Sequence, residues 1–302
     1  MLDICLLGTG GTMPLPNRAL TALMCRYGGS SILIDCGEGT QVKIREKGWS
    51  LKQIDMIMFT HFHADHTSGL AGLLLSMGKD GRSEKVRIVG PQGVENIVKS
   101  LCVVAPELPF ELEFTEISDN NREFELKGLR IEAFRVEHSI ECFGFTVNID
   151  RGRKFMPQRA EQLGIDKKYW GSLQKGKSVE INGTLILPED VLGEKRKGIK
   201  VTYCTDSRPT ESIEMAAENA ELFICEGMYA EEDKLEKAIE NKHMTFSEAA
   251  EIAARSHVKE LWLTHYSPSL SEPQKYSEYV QNYFKNTVIP EDLMSKTLKF
   301  DN

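Results

Sequence analysis

Residues 60–66 of the chain read THFHADH and place three imidazoles and one carboxylate within six positions. The preceding run, Ile54–Phe59, has the length and apolar composition of a buried strand. The four polar side chains are therefore expected on the loop after that strand, at the rim of a sheet. Imidazole nitrogens and carboxylate oxygens suit zinc, with manganese and iron as competitors. One tetrahedral ion with an open position cannot use all four, so the spacing predicts two adjacent metals, one held by His61 and His63 and the other by Asp65 and His66.

Other strand-like segments also end in a potential ligand. Three of the seven histidines lie in residues 60–66, which makes a chance cluster improbable. The further pairs of strand and ligand are Leu129–Val136 with His138, Ile199–Thr205 with Asp206, and Leu261–Thr264 with His265. Several strands that each deliver one ligand at their end are typical of an active site built on a sheet edge.

The order H-x-H-x-D-H, lone His, lone Asp and late His resembles the ligand order of the metallo-β-lactamase fold. The resemblance implies an α/β fold, a four-layer αββα sandwich that forms a single domain over residues 1–302. It also implies two divalent metal ions per subunit, expected as Zn²⁺ with Mn²⁺ or Fe²⁺ as alternatives. By position, the first metal would be held by His61, His63 and His138, the second by Asp65, His66 and His265, and Asp206 would bridge them.

Flanking motifs are similar to those of the ribonuclease Z family, which matures the 3′ end of transfer RNA. The similar segments are GTGG at 8–11, DCGEGTQ at 35–41, TDSRP at 205–209, HMT at 243–245 and THYSP at 264–268. The resemblance implies a metal-dependent endoribonuclease that removes 3′ extensions from precursor tRNA. The implied partners are precursor tRNA and a second subunit, with no DNA partner expected.

Two loops depart from the family pattern. The loop P-x-K-x-R-N is PLPNRA at 14–19 and lacks the lysine, and H-E-A-T is CEGM at 225–228 and keeps only Glu226. These loops are associated with substrate handling in the family, so the metal ligands are unaffected and the substrate is open. One alternative is a hydrolase of a small phosphodiester or another ester on the same scaffold. Another is an RNA-binding or assembly protein without catalysis.

The expected chemistry assigns roles to a few side chains. Two metals lower the pKa of a shared water from about 15.7 toward 7, and the resulting hydroxide attacks phosphorus. Asp65 would orient this nucleophile, and His243, oriented by Glu226, would donate the proton to the leaving oxygen. A capping box formed by Thr245 and Glu248 should start a helix that continues to Arg255 and hold the His243 loop in place.

Arg18 and Arg208 are expected to contact phosphate, with ordinary surface ion pairing as the alternative for each. The glycines at 8–11 lack the third glycine of a dinucleotide loop, and Pro14 and Pro16 interrupt the helix that such a loop would start. They are interpreted as a tight turn after a first strand, Asp3–Leu7. Outer helices are predicted at 70–77, 211–220 and 273–284.

A basic segment lies between His138 and Asp206. Residues 151–200 contain twelve Lys and Arg and six Asp and Glu, a net charge of +6, whereas the whole chain carries −8 and the other residues therefore −14. The segment is interpreted as an inserted arm over 151–198 with an aromatic tip, suited to phosphate contacts and base packing. The alternative is an ordinary solvated insertion.

The ribonuclease Z resemblance implies that this arm is a substrate-binding exosite. The family's arm grips the tRNA elbow, and WGSLQKGK at 170–177 resembles its G-x-L-x-x-G core, although the preceding Gly-Pro is absent. Because that arm contacts the substrate of the partner subunit, a homodimer is implied. The candidate contact residues are Lys167, Lys168, Tyr169, Trp170, Lys175 and Lys177.

The cysteine pattern and the distribution of apolar residues predict the cellular compartment of the protein. Seven cysteines are scattered singly with no C-x-x-C pair, which is typical of a reducing cytoplasm. The sequence has no run of about 18 apolar residues and starts without a signal-peptide pattern. A cytoplasmic protein with no membrane segment is therefore expected.

Overall fold

The computed structural model describes residues 1–105, 107–119, 122–230 and 232–301. Within these residues the strands are β1 (Leu2–Gly8), β2 (Ala22–Tyr27), β3 (Ser30–Ile34), β4 (Ile54–Met58), β5 (Val86–Gly90), β6 (Leu112–Glu116), β7 (Glu123–Leu126), β8 (Leu129–Val136), β9 (Cys142–Arg151), β10 (Val179–Ile181), β11 (Thr184–Ile186), β12 (Arg196–Cys204), β13 (Leu222–Glu226), β14 (Leu261–Thr264), β15 (Thr287–Val288) and β16 (Met294–Leu298). The α-helices are α1 (Thr40–Glu46), α2 (Ala64–Thr67), α3 (Leu70–Lys79), α4 (Val94–Leu101), α5 (Pro157–Gln162), α6 (Lys167–Gln174), α7 (Pro188–Val191), α8 (Glu211–Ala217), α9 (Leu235–Asn241), α10 (Phe246–Arg255) and α11 (Ser277–Gln281). Short 3₁₀ turns cover Leu51–Gln53, Cys102–Val104, Glu232–Lys234 and Pro273–Tyr276.

The chain separates into two compact units, residues 1–148 with 199–299, and residues 149–198 with the chain end from Phe300 onward. The larger unit contains two seven-stranded sheets, in the orders β16-β1-β2-β3-β4-β5-β6 and β15-β14-β13-β12-β9-β8-β7. Strands β3 to β6 are parallel, as are β12 to β15. Their near-continuous apolar runs are typical of parallel strands buried on both faces.

Each sheet packs helices on one face and the other sheet on the opposite face. In β1, Cys5 and Leu7 belong to the core formed with α3 and α4, whereas the equally buried Ile4 and Leu6 point to the opposite face. Leu261 and Leu263 of β14 pack with α10 in the same way. The hydroxyl of Tyr203 on β12 lies 3.4 Å from the carboxylate of Asp35 after β3, so the inner faces of the two sheets meet. The expected four-layer αββα sandwich is confirmed.

The predicted element bounds agree with the structure best for the strands. Strands β8 and β14 have the expected limits, and the Thr245–Glu248 capping box at the start of α10 is confirmed. Two outer helices were predicted too long. The helix expected at 211–220 ends at Ala217, because Glu218 and Asn219 leave the helical conformation. The segment 273–284 is a 3₁₀ turn followed by α11.

The smaller unit contains α5, α6, α7 and the β10–β11 hairpin around a core of four buried residues. Trp170 and Tyr169 pack against this core, and the indole Nε1 of Trp170 donates a hydrogen bond to the carbonyl of Ile165 at 2.9 Å. The aromatic pair therefore does not form the projecting tip that the sequence suggested. A unit of about fifty residues has few apolar side chains from which to build a core, so its aromatics are used inside.

All seven cysteines are free and buried, and they behave as small apolar side chains. Among the described residues, no helix combines the length and apolar character needed to cross a membrane.

Candidate metal centre

The predicted ligands lie where strands of the two sheets end. His61, His63 and Asp65 follow β4, with His66 inside the short helix α2. In the second sheet, the ligands His138, Asp206 and His265 follow β8, β12 and β14. Strands β12, β13 and β14 are parallel, so their carboxyl ends share one edge of the sheet. The fold thus brings seven side chains from distant parts of the chain into one place.

The first group comprises His61, His63, His138 and Asp206, whose ligand atoms all lie within 4.8 Å of one another. Nε2 of His61 and Nε2 of His138 lie 3.0 and 3.3 Å from Nδ1 of His63. The same two Nε2 atoms each lie 3.8 Å from Oδ1 of Asp206. Three imidazole nitrogens and one carboxylate oxygen face a common point, which is a ligand set that suits a divalent cation.

The second group comprises Asp65, His66 and His265. Nε2 of His66 and Nε2 of His265 lie 3.5 and 3.4 Å from Oδ2 of Asp65. They lie 3.2 and 3.3 Å from Oδ2 of Asp206. Asp206 therefore turns one carboxylate oxygen toward each group, which is the arrangement expected of a bridging ligand.

Three ring nitrogens of the second group have no hydrogen-bond partner among the described residues. Nε2 of His66 and both ring nitrogens of His265 are buried without a hydrogen bond. Buried polar groups in proteins are nearly always paired, and an unpaired one costs roughly 1–3 kcal/mol. Unpaired nitrogens directed at two carboxylates fit a metal ion, and the His/Asp cluster is a divalent metal-binding centre.

Neighbouring groups hold the ligand rings in orientation. Nδ1 of His66 lies 2.9 Å from the buried carboxylate of Asp35, and that carboxylate also accepts hydrogen bonds from the backbone N–H and hydroxyl of Thr60. Nδ1 of His138 lies 3.2 Å from the carbonyl of Lys242. Such partners turn the other ring nitrogen toward the metal and raise its basicity. Asp35 lies within the segment DCGEGTQ, and its position directly after β3 is the sequence signal from which this role could be predicted.

The glycine-rich segment after β1 approaches the second group closely. A Cβ added to Gly11 would lie 2.7 Å from the ring of His265, so only glycine fits there. The backbone N–H of Thr12 donates to Oδ2 of Asp65 at 2.7 Å. This segment therefore fixes one carboxylate and leaves room for one imidazole, in agreement with its interpretation as a tight turn near the site.

Two ligands adopt a backbone conformation that most side chains avoid. Asp206 and His265 have φ values of 51° and 61°, in the left-handed region. His265 directly follows β14 and Asp206 lies two positions after the end of β12, so the unusual φ turns each side chain away from the strand direction. Strained backbone of this kind persists where the surrounding structure holds it, and it is frequent at functional sites.

Electrostatics in the cluster favour a bound cation. Burial opposes ionisation of Asp206, but the imidazoles of His265, His66 and His61 outweigh it and hold the pKa of Asp206 well below its ordinary value. Burial and the neighbouring His66 keep the pKa of His61 low, so its ring is neutral and able to coordinate. Burial also disfavours the charged form of His66, but the carboxylates of Asp206 and Asp35 raise the pKa of His66 well above its ordinary value. The same negative charges would attract a divalent ion.

His243 and Glu226 form the buried pair expected of a proton donor and its partner. Nδ1 of His243 lies 3.2 Å from Oε1 of Glu226, and Glu226 also accepts hydrogen bonds from the backbone N–H groups of Ser207 and Met244. Burial lowers the stability of the imidazolium, yet the Glu226 carboxylate prevails and raises the pKa of His243 to about 9. This shift favours the protonated form of His243, whose Nδ1 lies 3.9 Å from Oδ1 of Asp206.

The metal ligands open into a cleft of 560 Å³. The part of its lining outside the metal ligands includes Tyr229, Lys237 and Asn241. Among the described residues that line the cleft, Lys237 is the one lysine or arginine. Lys237 was not predictable as a functional residue, because an exposed lysine on a short helix carries no distinguishing signal.

The two arginines expected to contact phosphate have partners within the protein instead. Arg18 donates hydrogen bonds to the carbonyls of Leu270 and Ser271, at 2.8 and 3.1 Å. Arg208 forms a two-pronged ion pair with Glu248 and donates to the carbonyl of His243. Both guanidinium groups therefore hold loops together, and Arg208 braces the loop that carries His243. Their contact with substrate stays a prediction.

The remaining candidates lie in the smaller unit. The side chains of Lys167, Lys168, Lys175 and Lys177 are exposed. The ammonium groups of Lys168 and Lys167 lie 4.9 Å from the ring of Tyr169 and 5.7 Å from that of Trp170. The aromatic rings thus support lysines rather than project themselves.

Known proteins are similar to this chain over its whole length. The family model described as Anti-Pycsar protein Apyc1 matches residues 2–156. A protein named ribonuclease Z from Lachnoclostridium phytofermentans is 54% identical over 301 residues, covering 100% of this chain and 99% of that protein. Human tRNase Z, short form, has a crystal structure that is 24% identical with a TM-score of 0.69, covering 99% and 100% of the two chains.

The metallo-β-lactamase fold protein YhfI from Bacillus subtilis is 18% identical with a TM-score of 0.70, covering 98% of each chain. At these identities the two solved structures establish the fold, and this chain has the metallo-β-lactamase fold. The ligand order, the sandwich and the full-length identity to a curated relative agree with one another. On this evidence the chain belongs to the ribonuclease Z family.

Proposed function

We propose that this chain is a metal-dependent endoribonuclease that removes 3′ extensions from precursor tRNA. The observation that carries the proposal is the position of Asp206, whose two carboxylate oxygens each face one group of imidazole ligands. Two adjacent cation sites are the usual arrangement for hydrolysis of a phosphodiester. The relatives named ribonuclease Z and tRNase Z indicate a hydrolytic nuclease and point to tRNA as the substrate.

We propose two divalent ions per subunit, with Zn²⁺ as the first candidate and Mn²⁺ or Fe²⁺ as alternatives. Neutral imidazoles and carboxylates suit all three. His61, His63 and His138 would hold one ion, Asp65, His66 and His265 the other, and Asp206 both. When bound, the ions supply a water nucleophile that is available near neutral pH and positive charge for the phosphate oxygens.

Asp65 positions the attacking group. Its Oδ2 is held by the backbone N–H of Thr12 at 2.7 Å and faces His66 and His265. Burial opposes the charged form of Asp65, but the neighbouring His265 and His66 keep its pKa below the ordinary value. The carboxylate is thus ionised and fixed, and it can accept a hydrogen bond from the water that attacks phosphorus.

His243 is the proton donor to the leaving oxygen, and Glu226 is the residue that positions it. His243 lines the cleft and is held on its Nδ1 side by Glu226, whose carboxylate raises the pKa of His243 and so favours the protonated ring. The proton that remains for donation is then on the opposite ring nitrogen. A positioned general acid of this kind contributes typically about 10²–10⁴-fold to the rate.

The segment 151–198 is proposed as the substrate-binding arm. Its lysines, Lys167, Lys168, Lys175 and Lys177, would neutralise tRNA phosphates, while Tyr169 and Trp170 support the first two of them. The family resemblance supports a homodimer, in which one subunit's arm would hold the substrate of the other. Seven free buried cysteines support action in the cytoplasm.

The test is a cleavage assay on a 3′-extended tRNA precursor beside a small chromogenic phosphodiester. Zinc- and manganese-loaded protein is compared with Asp206→Ala and with a variant in which a short Gly/Ser linker replaces 151–198. Endonucleolytic cutting near the discriminator base that both changes abolish supports the proposal. Turnover of the small diester alone, unaffected by loss of the arm, would reject it and favour a hydrolase of small esters.

A further inference from the structure

A second cavity lies beside the metal cleft. It has a volume of 280 Å³, and three residues line both spaces: Met228, Tyr229 and Ser267. Met228 and Tyr229, which we term the ridge, therefore separate the metal cleft from this second cavity. A ligand that leaves the metal cleft over the ridge enters the second cavity directly.

The ridge is fixed to the loops that carry catalytic groups. The backbone N–H of Tyr229 donates to the carbonyl of Met244, next to His243, at 3.3 Å. Ser267, which lies two residues after His265, donates its backbone N–H to the carbonyl of Met228 at 3.1 Å. A ligand seated on the ridge would therefore have a constant position relative to the metal ligands and the proton donor.

Positive side chains lie on both sides of the ridge. Lys237 on α9 lines the metal cleft, and its ammonium lies 5.6 Å from the centre of the Tyr229 ring. Lys234, three positions earlier, lines the second cavity and lies 3.4 Å from Asp233, and the cavity is also lined by the ion pair of Lys275 with Glu272. The side chain amide of Asn241 donates to the hydroxyl of Tyr229 at 3.3 Å. Because Tyr229 is buried, the spaced cations rather than the ring face a ligand, and such cations suit the backbone of a single-stranded polynucleotide.

A small diester would fit entirely within the metal cleft and would make no contact with the second cavity. A polynucleotide has a phosphate on each side of the scissile one, and these must leave the metal centre along some surface. Among the described residues that line the metal cleft, Lys237 is the one lysine or arginine. The geometry therefore gives the neighbouring phosphate a specific partner.

We propose that the ridge carries the RNA strand from the metal cleft into the second cavity. Lys237 binds the phosphate next to the scissile one, and Lys234 binds the phosphate beyond it. This inference rests on the proposed function, since it requires an RNA substrate at the metal centre. The inference specifies how many nucleotides of single strand the protein contacts next to the metal cleft. These contacts are separate from those of the arm.

The test compares Lys237→Ala, Lys237→Arg and Lys234→Ala with wild type on the tRNA precursor and on a small chromogenic phosphodiester. The matched control is Lys99→Ala, because Lys99 is exposed, pairs with Glu95 on α4 and lines neither cavity. For each protein kcat/KM is measured across a series of salt concentrations, and metal content is determined. All changed lysines are exposed, so the variants should fold.

The expected result for Lys237→Ala is a fall in kcat/KM of about tenfold on the RNA, with the diester rate and the metal content unchanged. The slope of log kcat/KM against log salt should lose about 0.7 for each lysine removed, as for one phosphate contact in a single strand. Lys237→Arg should restore most of the loss.

Two results would overturn the inference while leaving the proposed function in place. One is an unchanged rate and salt slope on RNA in both alanine variants. The other is an equal loss on RNA and diester, which would place Lys237 at the scissile phosphate. If wild-type protein does not cut the RNA at all, the proposed function itself fails and the strand path fails with it.

Discussion

The carboxylate of Asp35 lies 2.9 Å from Nδ1 of His66, and both side chains are buried. The two residues are 31 positions apart and follow neighbouring strands, β3 and β4. Because Nδ1 is engaged by an oxygen that can only accept, the ring keeps its proton there and presents Nε2 to the metal centre. Asp35 thereby decides which nitrogen of a predicted ligand is available.

Asp35→Asn should weaken metal binding at the second group. The change removes the negative charge behind His66 and permits the wrong tautomer, so affinity is expected to fall about 10–100-fold. Competition with a chromogenic chelator measures the affinity of each site. Asp80→Asn is the matched control, because Asp80 pairs with Arg45 at the surface. Equal affinities in the Asp35 variant and wild type would contradict this role.

Gly11→Ala should displace His265. The added Cβ would lie 2.7 Å from the imidazole carbon Cε1 and 2.8 Å from Nδ1, closer than real contacts allow. A displacement of about 1 Å at a reacting centre can lower the rate about 10²-fold. Steady-state kinetics together with metal content after dialysis would show both effects.

Gly152→Ala supplies the control for Gly11→Ala, since no atom lies within 4 Å of the Cβ position at Gly152 and its φ is not positive. This variant should keep wild-type activity and metal content. Full activity in Gly11→Ala would show that residues 8–12 can shift without displacing His265. The requirement for glycine at position 11 would then be wrong.

His243→Ala should lower the cleavage rate of RNA by about 10²–10⁴-fold. The cleavage rate of a 4-nitrophenyl diester should fall much less, because nitrophenolate is a leaving group that needs no proton. The measurement is kcat on both substrates with metal content held equal. His257→Asn is the control, since His257 lies beyond the end of α10 with φ 52°, a conformation that asparagine tolerates. Equal losses on the two substrates would exclude a proton-donor role.

Glu226→Gln should move the alkaline limb of the pH profile to lower pH. The general acid works only while protonated, so kcat falls as pH rises through the pKa of His243, which Glu226 raises to about 9. Removing the carboxylate charge lowers that pKa. Bound divalent ions lower it further in both proteins, so the comparison between them carries the test. If wild type and Glu226→Gln show the same alkaline limb in their kcat–pH profiles, His243 is not the group that donates the proton.

The metal centre was predictable because each ligand follows a strand that the sequence marks clearly. The apolar run Ile54–Phe59 and the strand Leu129–Val136 are both defined by local composition. The start of α10 was predictable for the same reason, because the Thr245–Glu248 capping box lies within four residues. Such features depend on neighbours along the chain.

The partners of long polar side chains were not predictable. Arg18 and Arg208 resemble phosphate contacts in sequence, but their guanidinium groups reach carbonyls and a carboxylate brought close only by folding. Trp170 packs on the core of its unit for the same reason. Whether such a side chain is exposed or buried depends on which parts of the folded chain pack together. Neighbouring residues in the sequence do not determine this.

The sequence by itself determined which side chains are candidate ligands, their order and the strands that precede them, since periodicity and motif spacing are local properties. Only the tertiary structure decided that Asp206 turns one oxygen to each group, that Asp35 orients His66, and that Lys237 is the cation of the cleft. The first two relationships join residues from 31 to 145 positions apart. They exist because two sheets pack face to face, which places the ends of their strands at one edge.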